Sequence, residues 1–343
     1  RCDVTPRVGP LRTSRTGQRM KGWLKMDEMA VARARLAMKS AVRGWLFDPN
    51  VSLIGLGWKE KDEGGYTGRL SIRFHVRKKL SGPQLESADT VPIPRCIGGF
   101  ETDVPEGEFK LHYWGWPGWE RPSSNLRARQ NDPLVGGISV GNERQYNYGT
   151  LGTLVRDRDT GDLMCLSNWH VLVGSWGYRQ GQRIYQPGRG DGGSASDTIA
   201  TLERNAISAN YDAAVAKLTG SRDAINNQLE LGSVTGIRQP ELDMQVVKSG
   251  RQSSVTYGRI TDFEAVYPML YSGYKRAIRD VFMIDARNPG EEVSAGGDSG
   301  SLWLEEGSNC AVGLHFAGQN QPERALAMDI RYVLEALNVE LAL

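Results

Sequence analysis

Gly296-Gly297-Asp298-Ser299-Gly300-Ser301 lies near the C-terminal end of the chain, between two hydrophobic stretches. A hydroxyl is a weak nucleophile until a base takes its proton, and the oxyanion that then develops needs backbone N–H donors aimed at it. A tightly turned, glycine-rich loop presents such donors. The string therefore reads as a serine nucleophile, Ser299, held in its own oxyanion loop, with Asp298 as a structural residue that holds the loop. Alone it is a modest signal, because most glycine-rich polar turns carry no chemistry.

Two upstream segments supply partners in a sensible order. In Cys165-Leu166-Ser167-Asn168-Trp169-His170-Val171-Leu172 a histidine ends one apolar, strand-like run and leads into another. In Tyr211-Asp212-Ala213-Ala214-Val215-Ala216 an aspartate opens a short apolar strand after a polar loop. The order along the chain is His170, Asp212, Ser299, with enough chain between them for strands to bring the side chains together from distant loops. Asp197, Asp243 and Asp285 are alternatives for the acid, but none opens an apolar strand. An α/β-hydrolase elbow is disfavoured, because it needs G-x-S-x-G where this chain has Ser301, and its acid and histidine would follow the nucleophile.

From about Pro133 to about Leu337 the chain resembles a trypsin-like, chymotrypsin-fold serine endopeptidase of the bacterial type. Besides the three segments above, Tyr148 to Val155 resembles the first core strand pair and Lys248 to Gly258 the turn-rich segment before the nucleophile. Ala311 to Gly318 resembles the strand lining the primary specificity pocket. The resemblance implies a mainly β fold, a chymotrypsin-like double β-barrel of six strands each with the site between the barrels. It implies Ser299 as attacking group, His170 as general base and then acid, and Asp212 as its orienting carboxylate. The amides of Gly297 and Ser299 would form the oxyanion hole. Val293, His315, Phe316, Ala317 and Gly318 would line the substrate pocket, and no cofactor or metal is implied.

Substrate preference and activation stay open at this level. His315 falls where glutamate-specific relatives of the staphylococcal type carry a histidine, so an imidazole donor could pair with a substrate carboxylate. The alternative is a histidine that only packs the pocket wall, with a small or apolar residue preferred. Val293, six residues before the nucleophile, is no carboxylate, which disfavours basic substrates. Leu134-Val135-Gly136-Gly137 partly echoes the new N-terminus that secreted relatives create by cleavage, but it also suits an ordinary strand entry into Ile138-Ser139-Val140, which is the favoured reading.

Composition agrees with an enzyme able to bury sizeable cores. The chain has 343 residues and a formal net charge of +2, which gives no whole-molecule field pointing to nucleic acid or membranes. No apolar run reaches the roughly 18 residues that a membrane span needs. There are four cysteines, Cys2, Cys96, Cys165 and Cys310, without zinc-site or disulfide-framework spacing. Secreted trypsin relatives commonly bridge a cysteine beside the catalytic histidine, whereas His170 is flanked by Trp169 and Val171, so a cytoplasmic location is expected. The four histidines, His75, His112, His170 and His315, form no H-E-x-x-H.

Residues 1–25 read as a flexible basic arm and 26–110 as a small α+β accessory domain. Residues 111–133 read as a Trp/Pro/Arg-rich linker and 134–343 as the protease-like domain. From Asp27 to Leu46, Val31, Ala34, Met38, Val42 and Trp45 recur at helical steps opposite Arg33, Arg35, Lys39 and Arg43. Strands are expected at Val51 to Trp58 and Arg69 to Arg77, the latter with His75 on a solvated face beside the arginines. Thr102-Asp103-Val104 gives a third strand. The linker tryptophans read as pins onto a neighbouring domain in preference to stacking platforms for single-stranded nucleic acid, so no nucleic-acid partner is expected. The leading function is endoproteolysis of a protein or peptide substrate. Processing of one dedicated partner protein is a second reading, and an inactive fold used as a peptide-binding scaffold a third.

Overall fold

The computed structural model describes residues 28–61, 64–111, 126–271 and 273–343. The basic arm at 1–25 and most of the tryptophan-rich stretch, 112–125, lie outside the described residues. The chain divides into two compact units between Glu106 and Gly107.

The first unit begins with the expected amphipathic helix, α1 (Glu28–Trp45). Val31, Ala34, Met38 and Ala41 are buried, while Arg33, Arg35, Lys39 and Arg43 are exposed. The helix packs on β1 (Val51–Glu60) and β2 (Tyr66–Val76), with Trp45 meeting Phe74 edge-on at 5.8 Å. After a short helix α2 (Gly82–Ser87), β3 (Cys96–Ile97) and β4 (Phe100–Asp103) complete the order β1-β2-β4-β3, with β4 parallel to β2. One expectation is corrected here. His75 and Arg73 are fully buried, not solvated. From Ile72 to Val76 both faces of β2 are covered, so the alternation of polar and apolar residues does not mark an exposed face. Arg73 tolerates this because it meets the carboxylates of Glu60 and, at 3.3 Å, Asp103.

The second unit opens with two short strands, β5 (Lys110–Leu111) and β6 (Leu134–Gly136). Its first barrel uses β7 (Ser139–Asn142), β8 (Gly149–Thr150), β9 (Thr153–Asp157), β10 (Leu163–Ser167), β11 (Arg183–Tyr185), β12 (Thr198–Asn205) and β13 (Ala214–Leu218). A one-turn helix, α3 (Trp169–Leu172), follows β10. Strands β8 and β9 are one bent run. At its bend Leu151 N donates to Ile138 O beside β7 and Gly152 N donates to Leu166 O on β10. With the pairs β10–β13, β13–β12, β12–β11 and β11–β7 the ring closes. Leu154, Leu166, Leu202, Val215 and Ile184 are buried along these strands.

A connecting run carries β14 (Ala224–Gln228), β15 (Gly232–Ser233) and β16 (Gly236–Ile237), with β6 parallel to β14. Leu134-Val135-Gly136 is thus a strand paired along one edge. The second barrel has β17 (Gln245–Gly250), β18 (Ser254–Tyr271), β19 (Tyr274–Ala286), β20 (Leu302–Glu305), β21 (Cys310–Asn320) and β22 (Glu323–Asp329). Its order β17-β20-β21-β22-β19-β18 is closed by the β17–β18 pair, making six antiparallel strands in a ring. Helix α4 (Ile330–Ala336) leaves this barrel, and β23 (Val339–Leu341) pairs back onto β9 of the first. The mainly β double barrel with an α+β region ahead of it is as the sequence predicts.

Candidate active site

The first barrel carries His170 and Asp212. Strand β10 runs to Ser167, and Asn168 starts α3 in extended conformation, its Nδ2 donating to Asp212 O at 2.7 Å. That bond ties the helix start to the loop ahead of β13. Asp212 accepts from the backbone N–H of His170 at 3.0 Å with one oxygen and lies 2.5 Å from His170 Nδ1 with the other. Both side chains are buried, so the pair sits where electrostatic interactions are least screened. A carboxylate accepting from Nδ1–H fixes the ring tautomer and leaves Nε2 as the basic nitrogen. Asp212 is the carboxylate brought to His170. Asp197 pairs with Arg222, Asp243 with Arg259 and Asp285 with Arg324.

The second barrel supplies the glycine-rich loop between β19 and β20. Gly297 has φ +107° and Gly300 φ +94°, conformations that residues with a β-carbon rarely adopt. At Gly300 a β-carbon would also lie 2.1 Å from Ser167 Oγ and 2.3 Å from Thr150 O. The loop is therefore pressed against the first barrel. Thr150 N donates to Ser299 O at 2.7 Å, and Thr150 Oγ1 to Gly297 O at 2.9 Å. A point one bond from Gly149 Cα lies 2.4 Å from a Val171 methyl and 2.9 Å from Ser299 O, so α3 and the loop of Ser299 converge there. Ser299 is 1% exposed, and its Oγ donates to Phe316 O at 3.4 Å.

Asp298 anchors the loop from beneath. It accepts from the amides of Gln252, Ser253 and Ala295, from the Ser253 hydroxyl, and from Lys248 Nζ at 2.9 Å. Both charged groups of the Lys248–Asp298 pair are fully buried. Burial by itself would raise the Asp298 pKa, but the Lys248 charge and the Ser253 hydrogen bonds outweigh it and hold the carboxyl well below its usual range. Burial lowers the Lys248 pKa, opposed by the Asp298 charge. Lys248 and Tyr148 are the site residues whose roles sequence reasoning misses. The Tyr148 ring lies 2.5 Å from where a Gly297 β-carbon would stand, and Arg251 stacks 4.0 Å from its centre. Burial pushes the Tyr148 phenol up to about 12.

The predicted pocket residues are all buried. His315 accepts from Gly300 N through its carbonyl and donates its own N–H to Ser301 O, each at 2.9 Å, so the middle of β21 lies against the loop of Ser299. Its ring Nδ1 lies 3.5 Å from Trp303 Nε1. Phe316, Ala317 and Gly318 continue the strand. Val293 accepts from Thr256 Oγ1 at 2.8 Å, and its N–H faces Glu323 Oε2 at 3.3 Å. Cys165, close to His170 in sequence, is no competing nucleophile, since burial pushes its thiol up to about 12.

No family model matches the chain, and no curated protein matches it. Solved structures to which it is similar include Thermobifida fusca protease A, at 17% identity over 60% of this chain and 97% of that one, TM-score 0.43. A glutamic-acid-specific serine protease, described as using a histidine triad in substrate binding, matches at 18% identity over 61% and 100%, TM-score 0.46. The chymotrypsin of Cellulomonas bogoriensis matches at 18% identity over 60% and 97%, TM-score 0.44. Among the described residues no helix is long and apolar enough to cross a membrane.

Proposed function

We propose that the second unit is a serine endopeptidase working through an acyl-enzyme. The observation that carries this reading is the buried Asp212 carboxylate gripping both the backbone and the ring of His170, on a helix that converges with the loop of Ser299. In the first step Ser299 Oγ bonds to the substrate carbonyl carbon while its proton passes to His170 Nε2. The oxyanion is met by the amides of Gly297 and Ser299. His170 then returns the proton to the departing amine as the C–N bond breaks, and a water molecule repeats the sequence to free the acid.

Active-site labelling with a fluorophosphonate tests this. The intact chain is expected to label, and Ser299→Ala and His170→Ala to lose labelling, with turnover of a peptide substrate falling about 10⁴-fold or more. An intact chain that neither labels nor cleaves would leave the scaffold reading in its place.

Cleavage after an acidic residue is the finer part of the same proposal. Indole N–H only donates, so a Trp303–His315 bond puts the His315 proton on Nε2 as a donor for a substrate carboxylate. Glu323 beside Val293 opposes a second carboxylate, and burial raises the Glu323 pKa in the direction that relieves the repulsion. A peptide panel is expected to show enrichment of Glu or Asp before the cut. Equal cleavage after apolar residues would reduce His315 to a packing role.

A further inference from the structure

One edge of β21 is occupied in an unusual way. On one side β21 pairs with β22 from Gly313 to Asn320. On the other it pairs with β20 only from Ala311 to Leu314, because the chain ahead of β20 turns away as the loop of Ser299. This leaves the edge of Phe316 to Gly318 available, starting at the carbonyl that accepts from Ser299 Oγ. A strand edge beside a nucleophile is a place where an extended peptide adds by backbone pairing. In this structure β5 is already there, with Leu111 opposite Ala317 and Lys110 opposite Gly318.

The occupant has the features of a bound peptide. It is antiparallel to β21, so it runs from Gly318 toward Phe316 and hence toward Ser299. Its residues alternate in burial, with Gly107 and Phe109 buried, Glu108 and Lys110 exposed, and Leu111 half-buried. Phe109 is 4% exposed. Its carbonyl accepts from Tyr267 Oη at 3.3 Å, and the Tyr267 ring stands edge-on to Phe316 at 5.5 Å. Backbone pairing, an apolar anchor and a side-chain hydrogen bond thus coincide within three residues.

Resting on the peptidase reading above, we propose that Phe109-Lys110-Leu111 occupies in cis the strand edge that receives the acyl side of the substrate. The substrates that displace it are then extended segments with large apolar side chains at the two alternate positions taken by Phe109 and Leu111. A tethered segment competes at an effective concentration that a free peptide must exceed. If it is seated nine times in ten, the apparent affinity for an incoming peptide drops about tenfold.

The test uses the full chain carrying Ser299→Ala and a fluorescent peptide of sequence Glu-Gly-Glu-Phe-Lys-Leu, capped at both ends, with binding read by anisotropy. Lys110→Pro removes a backbone donor at an exposed position, and Phe109→Ala removes the anchor. Both are expected to bind the peptide about tenfold more tightly than the parent. Affinity unchanged in Lys110→Pro, with the melting temperature preserved, would overturn the proposal, as would a failure of all three proteins to bind. Fluorophosphonate labelling of the same variants with Ser299 restored separates the two ideas. Labelling with unchanged peptide affinity sinks the internal occupant and keeps the peptidase, whereas tighter binding without labelling keeps the occupant and sinks the peptidase.

Discussion

Asp298, next to Ser299, accepts from three backbone amides and the Ser253 hydroxyl, and the charge that balances it comes from Lys248. In a fully buried pair, removing one partner strands the other. Lys248→Met is therefore expected to cost about 3–5 kcal/mol, read by urea denaturation, and to lose labelling at Ser299. The pH dependence has a definite sign. A carboxyl whose folded pKa is depressed contributes stability that is complete above its unfolded value of about 4 and is lost as pH falls through the folded one. The melting temperature of the intact protein should hold down to about pH 4 and then decline. In Lys248→Met the carboxyl loses its balancing charge, its folded pKa rises toward the unfolded value, and the decline below about pH 4 should be shallower; an equally steep decline would show that the pair does not act this way. The loop-holding role of Asp298 is legible in the string around Ser299. Lys248 is not, because a lysine in Val246-Val247-Lys248-Ser249 looks like an ordinary outward position, and its partner lies 50 residues away.

Among elements, the loop of Ser299 has a tightly constrained conformation. Gly300 is required both for its positive φ and because Ser167 Oγ and Thr150 O occupy the space of a side chain. Gly300→Ala should cost about 1–3 kcal/mol in backbone strain, and more if the Thr150 carbonyl cannot yield. Labelling should vanish while far-UV circular dichroism stays near that of the parent, since the barrels do not depend on the loop for their pairing. Full labelling by Gly300→Ala would mean that the loop relaxes freely. Strands β10, β13 and β21 are readable from their apolar runs. The long β18–β19 hairpin is less so, because register shifts between Ile260 and Asp262, Asp262 and Ala265, and Ala265 and Tyr267 break the period of two. Yet this hairpin carries Tyr267 and Tyr271, the latter bonded to Gly174 O at 2.5 Å and set against Trp169 at 5.1 Å. The burial of His75 was hidden for a related reason: alternation reports which way side chains point, and not whether something covers them.

At the scale of the whole molecule, the proposed chemistry depends on two barrels holding a common register, because His170 and Asp212 belong to one and Ser299 to the other. Few covalent connections cross between them, and the last one is a strap. After α4, Val339, Glu340 and Leu341 pair with Asp157, Arg156 and Val155, and Ala342 N donates to Leu154 O at 3.1 Å. Arg204 Nε reinforces the crossing by donating to Leu337 O at 2.6 Å. Val339 is fully buried and Leu341 nearly so. Removing residues 339–343 should cost about 1.5–3 kcal/mol for each of these two side chains, with a matching fall in melting temperature. A strap that only covered the edge of β9 would lower stability and leave Ser299 reactive at temperatures well below melting. A strap that sets the barrels against each other would lose labelling even there. The second outcome is expected, because β23 ends the only segment that leaves the barrel of Ser299 after its last strand and pairs within the barrel of His170.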